Sequence, residues 1–156
     1  MQQFEYGKFG VVHLPIHFKI NHLHKMASIG FKVDTGADFT TISKVDLATL
    51  GYDLNWISNH ITNETAVITA SGDRLTAAVI PIPLLNILGY EAKSWPVTIL
   101  LDTNKDFKNL LGRDLLAGFN YTFHNETKKF KIERTPKFDY LYEPTANQEI
   151  HNIDKL

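Results

Sequence analysis

The sequence predicts one all-β domain with one or two short helices. Residues 12–20 and 27–33 alternate apolar and polar side chains with the period of two that is typical of half-buried strands. Residues 61–82 are rich in β-branched residues on both sides of a Gly-containing turn, which predicts a further hairpin. Helix start signals occur at few places in the chain, so the sequence favours strands over helices.

Composition limits the classes of function. The chain of 156 residues has the length of a single domain that buries its own core. Its formal net charge of −1 argues against a nucleic-acid surface, and the lack of Cys excludes a Cys nucleophile and thiolate metal sites. The N-terminal segment has no apolar signal-peptide core, and the apolar stretches are too short to span a membrane. We therefore expect a cytoplasmic protein without nucleic-acid or membrane partners.

The first predicted hairpin supports a polar turn. Its strands are residues 12–20 and 27–33, and Pro15 places the first of them toward an edge or a bulge. The second strand leads directly into the sequence Asp-Thr-Gly at residues 34–36. Gly36 permits a positive φ and a close backbone approach, so we expect a carboxylate held on a rigid turn.

The rest of the chain continues mainly in strands. After the Asp-Thr-Gly turn we expect a strand at 39–42 and a short helix that begins near Ser43, with Asp46 in a capping-box position. Further along we expect strands at 81–89 and 95–101 with a turn at 89–93, and a helical turn at 113–118. Strands at 119–123 and 130–133 would close the sheet, and a polar tail would follow at 136–156. Asp102 and Thr103 repeat the Asp-Thr pair. Asn104 stands where the turn needs Gly, so we expect a solvated loop there.

Four histidines lie in or near the first hairpin, namely His13, His17, His22 and His24. Alternate positions on a strand could place two imidazoles on one face as metal ligands. No clustered acidic ligands or cysteines accompany them, so we favour solvent-facing strand and turn residues. We expect no metal and no other cofactor, and a metal-dependent hydrolase stays as a remote alternative.

Two motifs in order resemble those of the retropepsins, the retroviral-type aspartic proteases. Residues 30–43, GFKVDTGADFTTIS, match the family's apolar strand followed by Asp-Thr/Ser-Gly-Ala, and residues 109–116, NLLGRDLL, match its apolar-apolar-Gly-Arg-Asn/Asp-Leu-Leu element. Their spacing suits a single retropepsin domain, and a helix ending in Leu-Gly after the first motif is common in bacterial-type members. The resemblance implies a closed barrel and an aspartic endopeptidase that cleaves peptide or protein substrates.

The resemblance also implies a role for each matched residue. Asp34, Thr35 and Gly36 would form the catalytic turn. The hairpin in residues 61–82 would be the flap that covers bound peptide, with its tip at 69–74, and an ordinary surface hairpin is the alternative. The implied substrate-binding residues are Ala37, Asp38, Ser71, Gly72, Asp73 and Leu110, and the implied structural supports are Leu111, Gly112 and Arg113, the last through an ion pair with Asp38.

Carboxylate chemistry implies a second copy of the chain. Peptide hydrolysis needs one carboxyl as base and another as acid, and one Asp-Thr-Gly turn supplies one of them. We therefore expect a homodimer in which Asp34 meets its symmetry mate on a twofold axis, with broad, apolar substrate preference. Residues 1–135 would form the protease domain, and residues 136–156 would supply a dimer-docking strand and a disordered end. A peptide-binding or dimerisation module without turnover is the alternative.

Overall fold

A computed structural model describes residues 1–19, 26–49, 52–59, 61, 63–68, 71–101 and 108–136. A short 3-10 turn, Lys8–Gly10, lies between the first two strands. The elements are β1 (Gln2–Glu5), β2 (His13–Lys19), β3 (Ala27–Val33), β4 (Thr41–Ser43), α1 (Lys44–Thr49), α2 (Leu54–Asn59), β5 (Asn63–Ile68), β6 (Arg74–Ile87), β7 (Tyr90–Leu100), β8 (Leu110–Leu111), α3 (Arg113–Leu116), β9 (Phe119–His124) and β10 (Lys129–Arg134).

Six strands close into a barrel. Their order is β2-β3-β8-β4-β7-β6, and β6 returns to pair with β2. Strand β5 pairs with β6 and extends from this ring. The predicted all-β closed barrel with short helices is confirmed, with α1 and α3 near their predicted positions. Helix α2 is an additional short helix that the start signals did not indicate.

The first hairpin forms as the alternation predicts. Strands β2 and β3 are antiparallel, with Leu14 opposite Phe31. The apolar side chains of β2 are buried and the alternate ones are exposed. Pro15 lies one residue before Ile16, where β2 gains β6 as a second neighbour. The missing N–H of proline therefore falls where β2 has a single hydrogen-bonded neighbour, which agrees with its predicted position near an edge.

Strand β6 is longer than predicted because it tolerates two prolines. It pairs with β5 through residues 74–79 and with β2 through residues 84–87. Pro81 and Pro83 lie between these two ladders, where β7 is the remaining neighbour. The two predicted strands that met near residue 81 are therefore one strand. The predicted turn at 89–93 is also shorter, since Leu88 and Gly89 make the reversal with φ of 54° and 87° and Tyr90 already begins β7.

The prediction that the last two strands close the main sheet is wrong. Strands β9 and β10 form a separate three-stranded sheet with β1, in the order β1-β10-β9. Phe130 and Ile132 of β10 are buried and belong to the same core as the barrel. Three of the four residues of β1 are exposed, so it lacks the alternation that marks a half-buried strand.

The barrel interior is a continuous apolar core. Burial of each large aliphatic side chain stabilises the fold by about 1.5–3 kcal/mol relative to leaving it exposed. The fully buried side chains of the ring strands include Leu14, Ile16, Ile42, Ile80, Ile82, Ile87, Ile99 and Leu111. These residues come from five of the six ring strands, and Phe31 and Val33 of β3 are buried in the same core. The core therefore fixes the ends of β3 and β8 relative to each other.

Several predicted features fall outside the described residues. These are the loop at 102–107 and the tail from residue 137 onward, so the division into a domain and a tail stays a prediction. None of the helices in the described ranges is long and apolar enough to cross a membrane.

Candidate functional site

Asp34 lies directly after β3, at the point where the barrel turns toward β4. Its backbone N–H donates to the carbonyl oxygen of Leu111 at 3.1 Å, and its carbonyl accepts from the N–H of Ala37 at 3.2 Å. Its carboxylate Oδ1 accepts from the N–H of Gly36 at 2.9 Å. The turn itself thus holds this half-buried carboxylate in one orientation.

Gly36 serves the turn in a different way from the one predicted. It does not adopt a positive φ, so conformational freedom is not the reason for glycine here. A Cβ at this position would lie 3.3 Å from Oδ1 of Asp34, which is closer than most Cβ contacts. The absence of a side chain therefore leaves room for the carboxylate to meet the Gly36 N–H.

The second motif packs its backbone against the first. A Cβ on Gly112 would lie 2.5 Å from the carbonyl carbon of Phe39, so glycine is needed for this close approach. The N–H of Arg113 donates to the carbonyl of Ala37 at 2.9 Å. The Arg113 guanidinium also forms an ion pair with Asp38, in which both side chains are more than half exposed. An exposed pair contributes about 0.2–1 kcal/mol, so the backbone contacts are the firmer connection.

Asp114 is the buried centre of this connection, and sequence reasoning assigned it no role. Its Oδ1 accepts from the N–H of Thr40 at 2.9 Å, from the hydroxyl of Thr40 at 2.7 Å and from the N–H of Leu115 at 2.8 Å. Burial raises the pKa of the Asp114 carboxyl, and hydrogen bonds from Thr40, Leu115 and Trp95 oppose part of this rise. In the sequence, the acidic residue that follows Gly-Arg in the second motif was the signal that could have identified Asp114.

Asn109 connects the second motif to the helix that follows β4. Its Oδ1 accepts from the N–H of Ser43 at 3.0 Å, and its Nδ2 donates to Asp46 at 2.8 Å. Ser43 Oγ accepts from the N–H of Val45 at 3.1 Å, so Ser43 caps α1 as predicted. The Asp46 carboxylate binds Asn109, which differs from the reciprocal bond that a capping box would give it.

An open cleft of about 800 Å³ lies above the Asp34 turn. The sequence-predicted residues that line it are Asp34, Gly36, Ala37, Asp38 and Leu110. Across from the turn, the lining comes from residues 66–68 of β5 and from Leu75 of β6. The hairpin β5–β6 therefore forms one wall of the cleft through its strands.

The described residues of that hairpin's tip do not line the cleft. Ser71, Gly72 and Asp73 are exposed, and the hydroxyl of Ser71 donates to Asp73 Oδ2 at 3.0 Å. Gly72 has φ of 89°, a left-handed conformation that favours glycine in the turn. Residues 69 and 70 of the predicted tip lie outside the described residues. A substrate contact by residues 71–73 stays a prediction.

The cleft also contains residues that sequence reasoning passed over. These are Lys32, Phe39, Thr41, Leu100 and Lys108. The period of two in β3 was a usable signal for Lys32, because it puts this residue on the same face as Asp34. Thr35 is exposed at the turn, and Leu111 is fully buried beneath it.

The described residues do not form a metal centre. His13 and His17 are exposed on β2, while His22 and His24 lie outside the described residues. Within the described part of the chain, no three His, Asp or Glu side chains are grouped closely enough to hold a metal ion. The cleft offers carboxylate chemistry from Asp34, since Asp38, the other carboxylate among the described residues that line it, is paired with Arg113.

Comparison with known proteins gives matches among solved structures. A retropepsin-like aspartic protease from Rickettsia conorii aligns with a TM-score of 0.60 and 24% identity, over 85% of this chain and 99% of that protein. The EIAV protease, solved with the inhibitor HBY-793, aligns with a TM-score of 0.50 and 15% identity, over 73% of this chain and 92% of that protein. No family model and no curated protein matches the sequence. These likenesses show that the chain has the retropepsin-like fold.

Proposed function

We propose that this chain is an aspartic endopeptidase that acts as a homodimer with one Asp34 from each copy. The observation that carries the proposal is the Asp34 carboxylate, fixed by Gly36 at the end of β3 and facing an open cleft in a retropepsin-like fold. By name, one of the structural neighbours described above is a retropepsin-like aspartic protease and the other is the EIAV protease, which supports a protease over other uses of the fold.

The need for a second carboxyl supports the dimer. Two carboxyls a few ångström apart share one proton, so one can act as base while the other acts as acid. Asp38 is a poor second partner because Arg113 engages its carboxylate. Thr35 and Gly36 are exposed at the tip of the turn, so a second copy can approach there without unpacking the core. Thr35 would hydrogen-bond across the twofold axis.

The reaction follows from the shared proton. One Asp34 takes a proton from water as the water oxygen bonds to the peptide carbonyl carbon, and the other Asp34 gives its proton to the carbonyl oxygen. In the resulting diol, the first Asp34 returns a proton to the amide nitrogen while the second removes one from a hydroxyl. The C–N bond then breaks to give a carboxylic acid and an amine, and the pair again holds one proton.

The remaining residues would hold substrate. Ala37, Asp38 and Leu110 lie along the cleft, where an extended peptide would bind through backbone hydrogen bonds and side-chain pockets. The hairpin β5–β6 would close over the peptide as the flap, with residues 71–73 at its tip. The tail, residues 136–156, would add a docking strand at the dimer contact.

A subunit-mixing experiment tests the shared site. Asp34→Asn protein should be inactive, and co-refolding it in equal amount with wild type should leave about one quarter of the dimers wild type on both sides. Glu126→Gln removes an exposed carboxylate in the β9–β10 turn and serves as the matched control, which should leave full activity. Cleavage of a peptide library with chelator present is the measurement.

Three results would contradict the proposal. Residual activity near one half after mixing would show that each chain works alone. Full activity of Asp34→Asn would remove Asp34 from the chemistry. Peptide binding without cleavage by the wild-type dimer would assign the fold to a binding module instead.

A further inference from the structure

Three neighbouring strands place one row of side chains along the cleft. In the parallel pair β3–β8, Lys32 lies opposite Leu110, and in the antiparallel pair β8–β4, Leu110 lies opposite Thr41. The N–H of Lys32 donates to the carbonyl of Asn109 at 2.9 Å, which fixes the register of this row. All three members of the row line the cleft.

A second lysine joins the row. Lys108 lies two residues before Leu110, is exposed and lines the same cleft. Lys32 shares its face of β3 with Asp34, because Phe31 and Val33 point into the core on the opposite face. Two cationic side chains therefore border the space above the Asp34 turn.

Among the described residues, no carboxylate of the cleft forms an ion pair with these lysines. Within the described ranges the ion pairs are Arg113 with Asp38 and Lys129 with Glu5, so Lys32 makes no ion pair with Asp34 despite the shared face. Thr41 adds a hydroxyl that is buried and finds no hydrogen-bond partner in the described part of the chain. The wall thus offers positive charge and a spare hydroxyl, which are groups that bind a carboxylate.

We infer that the wall formed by Lys32, Lys108 and Thr41 is a subsite for an Asp or Glu side chain of the substrate. The inference rests on the proposed peptidase function and narrows its broad, apolar preference to peptides with an acidic residue near the cut. Strand rise puts Lys32 about 7 Å from Asp34, so the acidic residue lies within about two positions of the scissile bond. Leu110 and residues 66–68 keep the neighbouring subsites apolar.

Paired peptides test the subsite. Each pair has an apolar sequence and differs by Glu or Gln at one position, scanned from two residues before to two residues after the scissile bond. Wild type should cleave the best Glu peptide on the order of fivefold faster in kcat/KM than its Gln partner, with the preference weakening in high salt.

Lysine variants assign that preference to the wall. Lys32→Gln and Lys108→Gln should each remove most of the preference for Glu, measured within each variant as the ratio of kcat/KM for the Glu peptide to that for the Gln peptide. Lys93→Gln changes an exposed lysine of β7 that does not line the cleft and should keep the preference. Fluorescently labelled forms of the same peptides can be bound to Asp34→Asn protein, and their anisotropy gives a readout of binding that does not require turnover.

The outcomes separate this inference from the proposed function. Equal cleavage of Glu and Gln peptides at every position, or an unchanged preference in both lysine variants, would overturn the subsite and leave the peptidase intact. Lysine-dependent binding of Glu peptides without any cleavage by wild type would support the subsite and refute the peptidase. Neither binding nor cleavage of any peptide would overturn both.

Discussion

Replacement of Asp114 by Ala should destabilise the domain by about 4 kcal/mol. The Oδ1 atom of Asp114 accepts three hydrogen bonds, and the substitution would leave the buried N–H and hydroxyl of Thr40 without this partner. A buried donor left without its partner costs about 1–3 kcal/mol, so the two donors of Thr40 together cost about 4 kcal/mol. For a domain of this size the melting temperature should fall by roughly 8–16 °C.

Replacement of Asp114 by Asn should be much milder. All three of these bonds converge on one oxygen, so an amide oxygen in the same place can accept them. The two proteins should also differ in pH dependence. Burial raises the pKa of Asp114 in the folded state above its ordinary value. The stabilisation that results is fully present below the pKa of Asp114 in the unfolded chain and is lost as pH rises through its pKa in the folded protein. The Asn variant has no proton to lose at this position, so its stability does not change in this way.

Urea unfolding at fixed protein concentration measures both effects. The free energy of unfolding of Asp114→Asn minus that of wild type should increase from about pH 4 upward, until the wild-type carboxyl is ionised in the folded state. A loss below about 1 kcal/mol for Asp114→Ala would show that the carboxylate is not the centre of the network. An equal loss of unfolding free energy in the Asn and Ala variants would refute the view that the three hydrogen bonds converge on Oδ1.

Two further substitutions test other parts of the site. Arg113→Ala should lower the free energy of unfolding in urea by at most about 1 kcal/mol, because its ion pair with Asp38 is exposed and the backbone bonds of residue 113 persist. A loss as large as that of Asp114→Ala would contradict the expectation that the buried carboxyl stabilises the loop more than the exposed ion pair does. Thr41→Val should raise the free energy of unfolding by about 1 kcal/mol, since it replaces a buried hydroxyl without a partner in the described residues by a methyl group. A lower stability of Thr41→Val would show that the hydroxyl has a partner.

Local patterns predict most of the barrel but not its closure. The alternation in β2 and β3 gives both strands and the position of Asp34, because one face of each strand is buried or partly buried along its length. The patterns around Pro81 and Pro83 mislead, since proline normally ends a central strand. Here β6 continues through both prolines and exchanges β5 for β2 as its neighbour, and only the three-dimensional arrangement reveals this exchange. The separate sheet of β1, β10 and β9 is likewise set by long-range pairing.

The candidate site also has parts that local sequence patterns predict and parts that they do not. The motifs point to Asp34 and to the segment that supports it, because each is a continuous stretch of chain. The cleft wall joins Lys32, Thr41 and Lys108 from three separate segments, and their meeting depends on the two-residue strand β8 lying between β3 and β4. No local pattern in so short a strand specifies both of its neighbours.

The Asp34 turn and strand β5, which both line the cleft, are held by different kinds of contact. Two contacts tie the Asp34 loop to residues 112–114. The buried Asp114 carboxylate bonds Thr40, 74 positions away in sequence, and Gly112 packs closely against the backbone of Phe39, so the loop can separate only if the barrel opens. Strand β5 is held by its ladder to β6, outside the closed ring, and its Ile68 is 71% exposed. Breaking one peripheral ladder requires far less free energy than opening the core. The fold therefore keeps the carboxylate fixed while the opposite wall can move to admit a peptide, which is the division of roles that the proposed endopeptidase requires.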